Sequence, residues 1–186
     1  MKHTRIILSG LIAIALLSAC GGSSDTNTGT DVVEAVTDFN DDDVMFAQMM
    51  IPHHEQAISM SEIALKKSRN QAILKLSNQI KSLQGTEKSQ LAYWLKATDS
   101  SMTMDHDMQM SGMLTTKELA SLKRLTGTQF DRAFLQLMIK HHQGAIEMLD
   151  LISDSKNMEA KALAKAINSA QSKEITSMKL LLKKLK

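Results

Sequence analysis

The sequence predicts an all-α protein in which four helices form a bundle from two duplicated helical hairpins. Aromatic residues make up 3% of the 186-residue chain, proline occurs once, and methionine occurs 14 times. Unbranched side chains favour helices, whereas sheets are enriched in aromatic and β-branched residues. An internal repeat and an apolar row at helical spacing are the second and third observations. With 43% hydrophobic residues, the chain can bury the core of one domain and carry an extension.

The repeat is centred on Met50-Ile51-Pro52-His53-His54, which returns 88 residues later as Met138-Ile139-Lys140-His141-His142. Four of the six histidines of the chain lie in these two copies. Residues separated by three or four positions fall on one side of a helix, so each copy places a histidine within an apolar row. The rows are Phe46, Met50, His53, Ala57 and Met60 in the first copy, and Phe134, Met138, His141, Ala145 and Met148 in the second.

Residues 1–19 have the pattern of a lipoprotein signal peptide. A positive start at Lys2 and Arg5 precedes the apolar run 6–17, which is too short to span a bilayer comfortably. The run ends in Leu17-Ser18-Ala19-Cys20, which resembles the bacterial lipoprotein box whose cysteine is lipidated and becomes the mature N-terminus. The alternative is an ordinary secretory signal with an incidental cysteine.

Cys20 is the single cysteine, which excludes an intramolecular disulfide and a multi-cysteine zinc site. Removal of residues 1–19 takes away Lys2 and Arg5 and lowers the formal charge from +2 to zero. A neutral chain carries no charge signal for nucleic acid. We therefore expect a lipid-anchored, extracytoplasmic protein on a bacterial membrane, facing the periplasm. Gly21 favours the outer membrane, by analogy with lipoprotein sorting.

Residues 20–40 are mostly small and polar, which predicts a flexible tether with a reach of about 25 Å. The alternative is a short amphipathic turn at residues 32–36. The first helix is expected to begin at the acidic run 41–43, whose carboxylates can cap free amides, and to end near Ser68. Pro52 removes one amide donor inside this helix, so we expect a kink just before the histidines.

The second helix is expected from about Asn70 to Thr98, and it carries Glu87 on its apolar side. The apolar residues of that side are Ile73, Leu76, Ile80, Leu83 and Trp94. A methionine-rich crossover at residues 102–113 follows. Thr115 and Glu118 then form the sequence of a capping box for a short helix that ends near residue 125.

The second hairpin follows Gly127, which breaks the chain. Thr128 with Asp131 is expected to cap its first helix, which should run to about Ser153. Its second helix is expected from about Asn157 to the end of the chain. The buried side of this last helix comprises Leu163, Ile167, Ala170, Glu174, Met178 and Leu181.

Each hairpin combines His-His on one helix with a glutamate on the inner face of the next. Glu174 matches Glu87 at an offset of 87 residues. An unpartnered buried polar group costs about 1–3 kcal/mol, in domains that are stable by about 5–15 kcal/mol. One interpretation pairs each histidine with a glutamate, which would fix the register of the helices. The other is a metal site, because neutral imidazole is the commonest protein ligand and a carboxylate can orient it.

The residue three positions before each His-His pair indicates which metal to expect. Di-iron bundles place a carboxylate there, whereas this chain places Met50 and Met138. Thioether and imidazole groups together select copper, especially Cu(I). The predicted metal residues are His53, His54, His141, His142, Met50, Met60, Met138, Met148, Glu87 and Glu174. Met49, Met158 and Met178 are assigned to the core.

The crossover is a second candidate metal site. Its methionines recur at alternating positions in a polar segment, which cannot form a core stripe. The predicted ligands for Cu(I) or Ag(I) are Met102, Met104, His106, Met108, Met110 and Met113, with Asp105 or Asp107 helping to hold Cu(II). The alternative is an adaptable loop that fills gaps on the bundle surface.

Together these motifs resemble the bacterial family called domain of unknown function 305. The resemblance is carried by the runs 49–57 and 137–145 and by two Gln-x-x-Glu steps, at 84–87 and 171–174. It covers about residues 41–186 and implies a ferritin-like helical bundle. Some members, the CopM-like proteins, are periplasmic copper binders in copper resistance. The resemblance therefore implies a copper role for the four repeat histidines, with the methionines beside them. The second run lacks the proline and has a glutamine in place of Glu55, and neither change affects a proposed ligand.

Three hypotheses follow for the function. The first is a copper-binding protein that buffers copper, confers resistance or passes the ion to an exporting or accepting protein partner. The second is a ferritin-like di-metal oxidase or peroxidase, which would require more inner-face carboxylates and a Glu-x-x-His motif. The third is a non-metal interaction module. We favour the first and expect no catalytic residue, while association into a homo-oligomer stays open.

Overall fold

The computed structural model describes residues 38–103 and 110–185, and confirms the all-α class. The helices are α1 (Asp41–Lys67), α2 (Gln71–Ala97), α3 (Thr116–Arg124), α4 (Gly127–Met148) and α5 (Met158–Lys184), with a 3₁₀ turn at Leu149–Ile152. None of these described helices is long and apolar enough to cross a membrane. The predicted signal peptide, Cys20, the tether up to residue 37, and Met104, His106 and Met108 lie outside the described residues.

The start of α1 is fixed by a capping box, close to the predicted acidic start. Asn40 accepts a hydrogen bond from the Asp43 amide at 2.8 Å, and Asp43 accepts one from the Asn40 amide at 3.1 Å. The Asp43 carboxylate also accepts a hydrogen bond from the Ser155 hydroxyl at 2.9 Å. This contact ties the first turn of α1 to the connection that precedes α5. The helix continues through Pro52.

The start of α4 differs from the prediction. Its N-cap is Thr126, which makes no side-chain capping bond, so the predicted cap by Thr128 with Asp131 is wrong. The backbone is extended at Thr126 and takes a positive φ of 56° at Gly127, so the helix begins earlier and Thr128 falls inside its first turn. The helix also ends earlier than expected, because its last residues form the 3₁₀ turn.

Two side chains assigned to the core are exposed. Leu83 is 39% exposed because it faces an open groove between α2 and α5, whose contact is slight. Met158 is 76% exposed because it is the first residue of α5, at the end of the bundle. Both residues were therefore wrongly predicted to be buried, although the helices that carry them were correctly predicted.

The four long helices pack as two hairpins, α1 with α2 and α4 with α5. The contact between α1 and α4 joins the two hairpins. Two separate apolar clusters fill the interior. The first includes Phe46, Met50, Leu91, Trp94, Ala145, Met148, Leu163 and Ile167. The second includes Met60, Ile73, Ile80, Phe130, Phe134, Met138, Ile175 and Met178. Along every long helix, the residues of the two clusters are separated by a polar pair.

These polar pairs form a layer across the middle of the bundle, which we call the polar layer. Its members are His53 and His54 of α1, Gln84 and Glu87 of α2, His141 and His142 of α4, and Gln171 and Glu174 of α5. Seven of the eight are buried, and the Glu174 side chain is 14% exposed. The apolar core is thus interrupted at the level of the two sequence repeats.

The described parts of the connection from α2 to α4 contact α1 at several points along its length. Near its start, Gln48 of α1 donates to the Ser101 carbonyl at 2.9 Å. Near its end, Lys67 of α1 donates to the Leu125 carbonyl at 3.1 Å. The route is required because α2 ends beside the first cluster, whereas α4 begins beside the second. Ser111 of this connection contacts the polar layer at His53.

Candidate metal centre

The first histidine of each pair lies at the centre of the bundle, where α1 meets α4. The ring centroids of His53 and His141 are 3.8 Å apart, with an angle of 40° between the ring planes. Both residues are fully buried. The two copies of the repeat thus bring one imidazole each to a shared position.

This pair has fewer hydrogen-bond partners than it has nitrogen atoms. His53 Nε2 donates to the carbonyl oxygen of Ser111 at 3.0 Å, and its Nδ1 has no partner among the described residues. Neither ring nitrogen of His141 has a partner in the described part of the chain. A backbone group of His53 lies close to the His141 ring, but it is not aligned for a hydrogen bond. Leaving such groups unsatisfied costs about 1–3 kcal/mol each.

Burial keeps this pair uncharged at neutral pH. It lowers the pKa of His53 from 6.5 to about 3, against the opposing effect of the hydrogen bond to Ser111, and the nearby His54 and His142 lower it further. Burial also lowers the pKa of His141 well below its usual value, followed by the effect of the neighbouring His53 ring. Neutral imidazole has a free lone pair, which is the form that binds a metal ion.

The second histidine of each pair contacts the glutamate of its own hairpin. His142 Nε2 lies 2.7 Å from Glu174 Oε2 in an aligned hydrogen bond. His54 Nε2 lies 2.8 Å from Glu87 Oε2, but this contact is not aligned for a hydrogen bond. The predicted pairing of histidine with glutamate therefore occurs as a hydrogen bond at His142 and as a close contact at His54. Direct coordination of a metal by Glu87 or Glu174 stays a prediction.

The four predicted methionine ligands are buried on both sides of the polar layer. Met50 and Met148 belong to the first apolar cluster, and Met60 and Met138 to the second. A rise of 1.5 Å per residue places Met50 and Met138 about 4.5 Å along their helices from His53 and His141. The other two are seven residues from their histidines, at about 10 Å. Of these four methionines, Met50 and Met138 are therefore the residues closest to the histidines along their helices.

The three methionines in the described ends of the crossover differ in their exposure. Met102 is 48% exposed, and Met113 is partly buried. Met110 packs against the first apolar cluster, as the gap-filling interpretation predicts for it. Across residues 38–103 and 110–185, no group of three or more His, Cys, Asp or Glu side chains is arranged to hold a metal ion.

Sequence reasoning did not identify several residues of this site. Gln84 and Gln171 are buried in the polar layer, and neither side-chain amide has a partner in the described part of the chain. The sequence placed them in matching Gln-x-x-Glu steps of the repeat and of the family resemblance, but gave them no role of their own. Ser111 was missed because a backbone carbonyl leaves no trace in the residue type. Gly144 could have been found, since a glycine inside a helical pattern indicates close packing against its backbone.

Comparisons with known proteins identify the family of the chain. A family model described as Domain of unknown function (DUF305) matches residues 43–182. The chain belongs to the DUF305 family. A comparison with curated protein sequences finds no match.

Solved structures of DUF305 proteins resemble the chain over most of its length. A DUF305 fragment from Deinococcus radiodurans is 31% identical with a TM-score of 0.73, covering 78% of this chain and 98% of that one. A putative secreted DUF305 protein from Streptomyces coelicolor is 29% identical with a TM-score of 0.73, covering 77% of this chain and 93% of that one. CopM in its Cu(I)-bound form is 31% identical with a TM-score of 0.65, covering 76% and 96%. CopM structures also exist with Cu(II) and with silver.

The lowered pKa of His53 predicts that the metal-free protein loses stability in acid. A folded-state pKa below the unfolded value means that the unfolded chain binds more protons, so the stability present above pH 6.5 is lost as the pH falls towards about 3. Between about pH 7.5 and about pH 5, His53 alone should lower the free energy of unfolding by about 2 kcal/mol. Urea unfolding with a chelator at both pH values measures this loss. His53→Gln should reduce the difference, and equal stability at both pH values would contradict the assignment.

Proposed function

We propose that this protein is a lipid-anchored, extracytoplasmic copper-binding protein that buffers or transfers the ion. The observation that carries the proposal is the uncharged, buried pair of His53 and His141 at the contact of α1 and α4, in which three ring nitrogens have no partner among the described residues. Such nitrogens are costly to bury unless something binds them. The CopM structures with Cu(I), Cu(II) and silver support the choice of ion.

The ligand chemistry available beside the pair favours a soft cation. Imidazole nitrogen with thioether sulfur suits copper, whereas magnesium, calcium and manganese prefer carboxylate and carbonyl oxygen. Glu87 contacts His54 and Glu174 contacts His142, whereas the buried thioethers of Met50 and Met138 are soft donors on the two helices that carry the central pair. Met50 and Met138 would therefore complete the site. Cu(I) is the oxidation state that this donor set favours.

We propose a ferritin-like arrangement derived from a duplicated hairpin as the origin of the fold. The matched burial of the two repeat copies supports it. Phe46 with Phe134, Met50 with Met138 and His53 with His141 are pairs of fully buried residues at the same offset. The chain needs no catalytic step in this proposal, in contrast to the di-metal oxidases that share such bundles.

The cellular placement in this proposal rests on residues 1–20. The lipoprotein box at residues 17–20 would attach Cys20 to lipid at the periplasmic face of a membrane, with the outer membrane favoured. A tether of polar residues would then separate the helices from the bilayer. A protein so placed meets copper before the cytoplasm does, and a copper-exporting or copper-accepting protein would be its partner.

Metal analysis tests copper binding directly. The full-length chain with Cys20→Ser, which removes the only thiol, should bind at least about one Cu(I) or Ag(I) per chain. Adding His53→Ala and His141→Ala should remove the tightest site. The bound ion should also raise the melting temperature, since free ligand at about 100 times its Kd stabilises a protein by about 2.7 kcal/mol.

Gln143→Ala is the control, because Gln143 is exposed and lies next to His142. It should bind copper as the parent chain does. Bound iron with oxygen consumption would support the oxidase hypothesis instead. A melting temperature that copper and silver leave unchanged would contradict the proposal and favour an interaction module.

Lipid attachment has its own test. In bacteria fed a labelled fatty acid, the natural chain should become labelled and sediment with membranes, because lipidation follows the box that ends in Cys20. Cys20→Ser should abolish both results while preserving the helices. A soluble, unlabelled natural chain would support the ordinary secretory signal.

A further inference from the structure

One short segment of the crossover, Ser111–Leu114, lies directly against the central histidine; we call it the strap. Its first carbonyl oxygen accepts the hydrogen bond from His53 Nε2 at 3.0 Å. Because a carbonyl oxygen can only accept, the proton of the neutral ring is on Nε2, and the lone pair is on Nδ1. The Nδ1 atom is buried and has no partner among the described residues.

A glutamine of α1 clamps the strap at its other end. Gln56 Nε2 donates to the Leu114 carbonyl at 3.0 Å, and the Leu114 amide donates to Gln56 Oε1 at 2.7 Å. Both backbone groups of one strap residue are thus bound by one side chain. Since Gln56 lies three residues after His53, the clamp and the histidine are neighbours on the same face of α1.

A glycine of α4 lets the strap backbone touch the helix. A Cβ atom on Gly144 would lie 2.1 Å from the Ser111 carbonyl oxygen and 2.5 Å from the Gly112 nitrogen. Gly112 has a φ of 78°, and a Cβ atom on it would lie 2.8 Å from the Lys140 carbonyl oxygen. Any side chain on Gly144 must therefore push the strap away from α4. The Ser111 hydroxyl adds a further tie by donating to Glu147.

The clamp and the glycine occupy the same position in the two copies of the repeat. Gln56 and Gly144 are 88 residues apart, as His53 and His141 are. At this position the first copy binds the strap and the second copy makes room for it. The result is asymmetric, because the strap bonds to His53 and not to His141.

We infer that the strap selects the metal-binding atom of the central pair. The Ser111 carbonyl holds His53 with its proton on Nε2 and so makes Nδ1 the atom that binds the soft cation, with Gln56 and Gly144 as positioning residues. This inference rests on the proposed function. A backbone carbonyl is a common partner for the non-coordinating nitrogen of a histidine ligand, and it fixes the ring orientation. Because the strap lies over His53, loosening it should also speed the release of the ion.

The protonated nitrogen can be observed directly by ¹⁵N NMR of the histidine side chains. In the full-length chain without metal, His53 should show a protonated Nε2 and an unprotonated Nδ1, with His53→Gln identifying its signals. Added Ag(I) should shift the Nδ1 resonance and leave Nε2 protonated. Coordination through Nε2, or a mixture of both tautomers before metal is added, overturns the inference. Failure of the chain to bind Ag(I) at all overturns the proposed function as well, so the two failures are distinguishable.

Gly144→Ala tests the role of the strap. It should release the Ser111 bond, produce a tautomer mixture at His53, and weaken Ag(I) binding by about 10–100-fold, the range for loss of a partner that orients a ligand. Gly85→Ala is the matched control, because Gly85 lies inside α2 with nothing within 4 Å of an added Cβ atom. It should change neither the tautomer nor the Ag(I) dissociation rate. A Gly144→Ala protein with the natural tautomer and release rate overturns the inference.

Gln56→Ala is a second variant that tests the role of the strap, and it is sufficient if Gly144→Ala does not fold. It removes the clamp from a partly buried position without adding atoms against the strap. Its matched control is Gln48→Ala, which removes a glutamine of the same helix that binds the crossover at Ser101, before the methionine-rich part. Gln56→Ala should shift the His53 tautomer and speed Ag(I) release, and Gln48→Ala should do neither. Equal effects of the two variants contradict a specific role for the strap.

Discussion

The arrangement of this protein depends on burying a layer of polar side chains in the middle of a helical core. Every long helix contributes two residues to it, and apolar clusters lie on both sides. Each buried polar atom must find a partner or cost about 1–3 kcal/mol, which is a large part of the stability of a domain. His142 is hydrogen-bonded to Glu174, and His54 contacts Glu87 without an aligned hydrogen bond. Three ring nitrogens of the central pair have no partner among the described residues, and this unmet hydrogen-bonding capacity is the basis of the metal proposal.

The doubled histidine explains how the layer can serve two purposes. Neighbouring residues on an α-helix point about 100° apart, so His53 and His54 face different helices. His54 contacts Glu87 of its own hairpin, whereas His53 meets the other hairpin at His141. In the proposed function, the contact with glutamate and the metal site therefore use different members of each pair. A single histidine per copy would offer only one of these two contacts.

Much of this was predictable from the sequence because the signals are periodic. The helices, their approximate bounds, and the burial of the four histidines follow from spacing and from the repeat. The prediction of burial was wrong at Leu83, which faces a groove. Periodicity cannot show that α2 and α5 hardly touch. The predicted start of α4 was wrong because Gly127 takes a positive φ, which lets the helix begin earlier. The strap was not predictable, since its contacts depend on the path of the backbone.

The central claim is that His53 and His141 hold a soft cation together with thioether sulfur. X-ray absorption spectroscopy of the Cu(I)-loaded chain with Cys20→Ser measures the atoms around the ion most directly. The account predicts nitrogen and sulfur scatterers around one copper, with the imidazole signal lost in the double variant His53→Ala with His141→Ala. A copper environment made only of oxygen and nitrogen, or one that the double variant leaves unchanged, would contradict it.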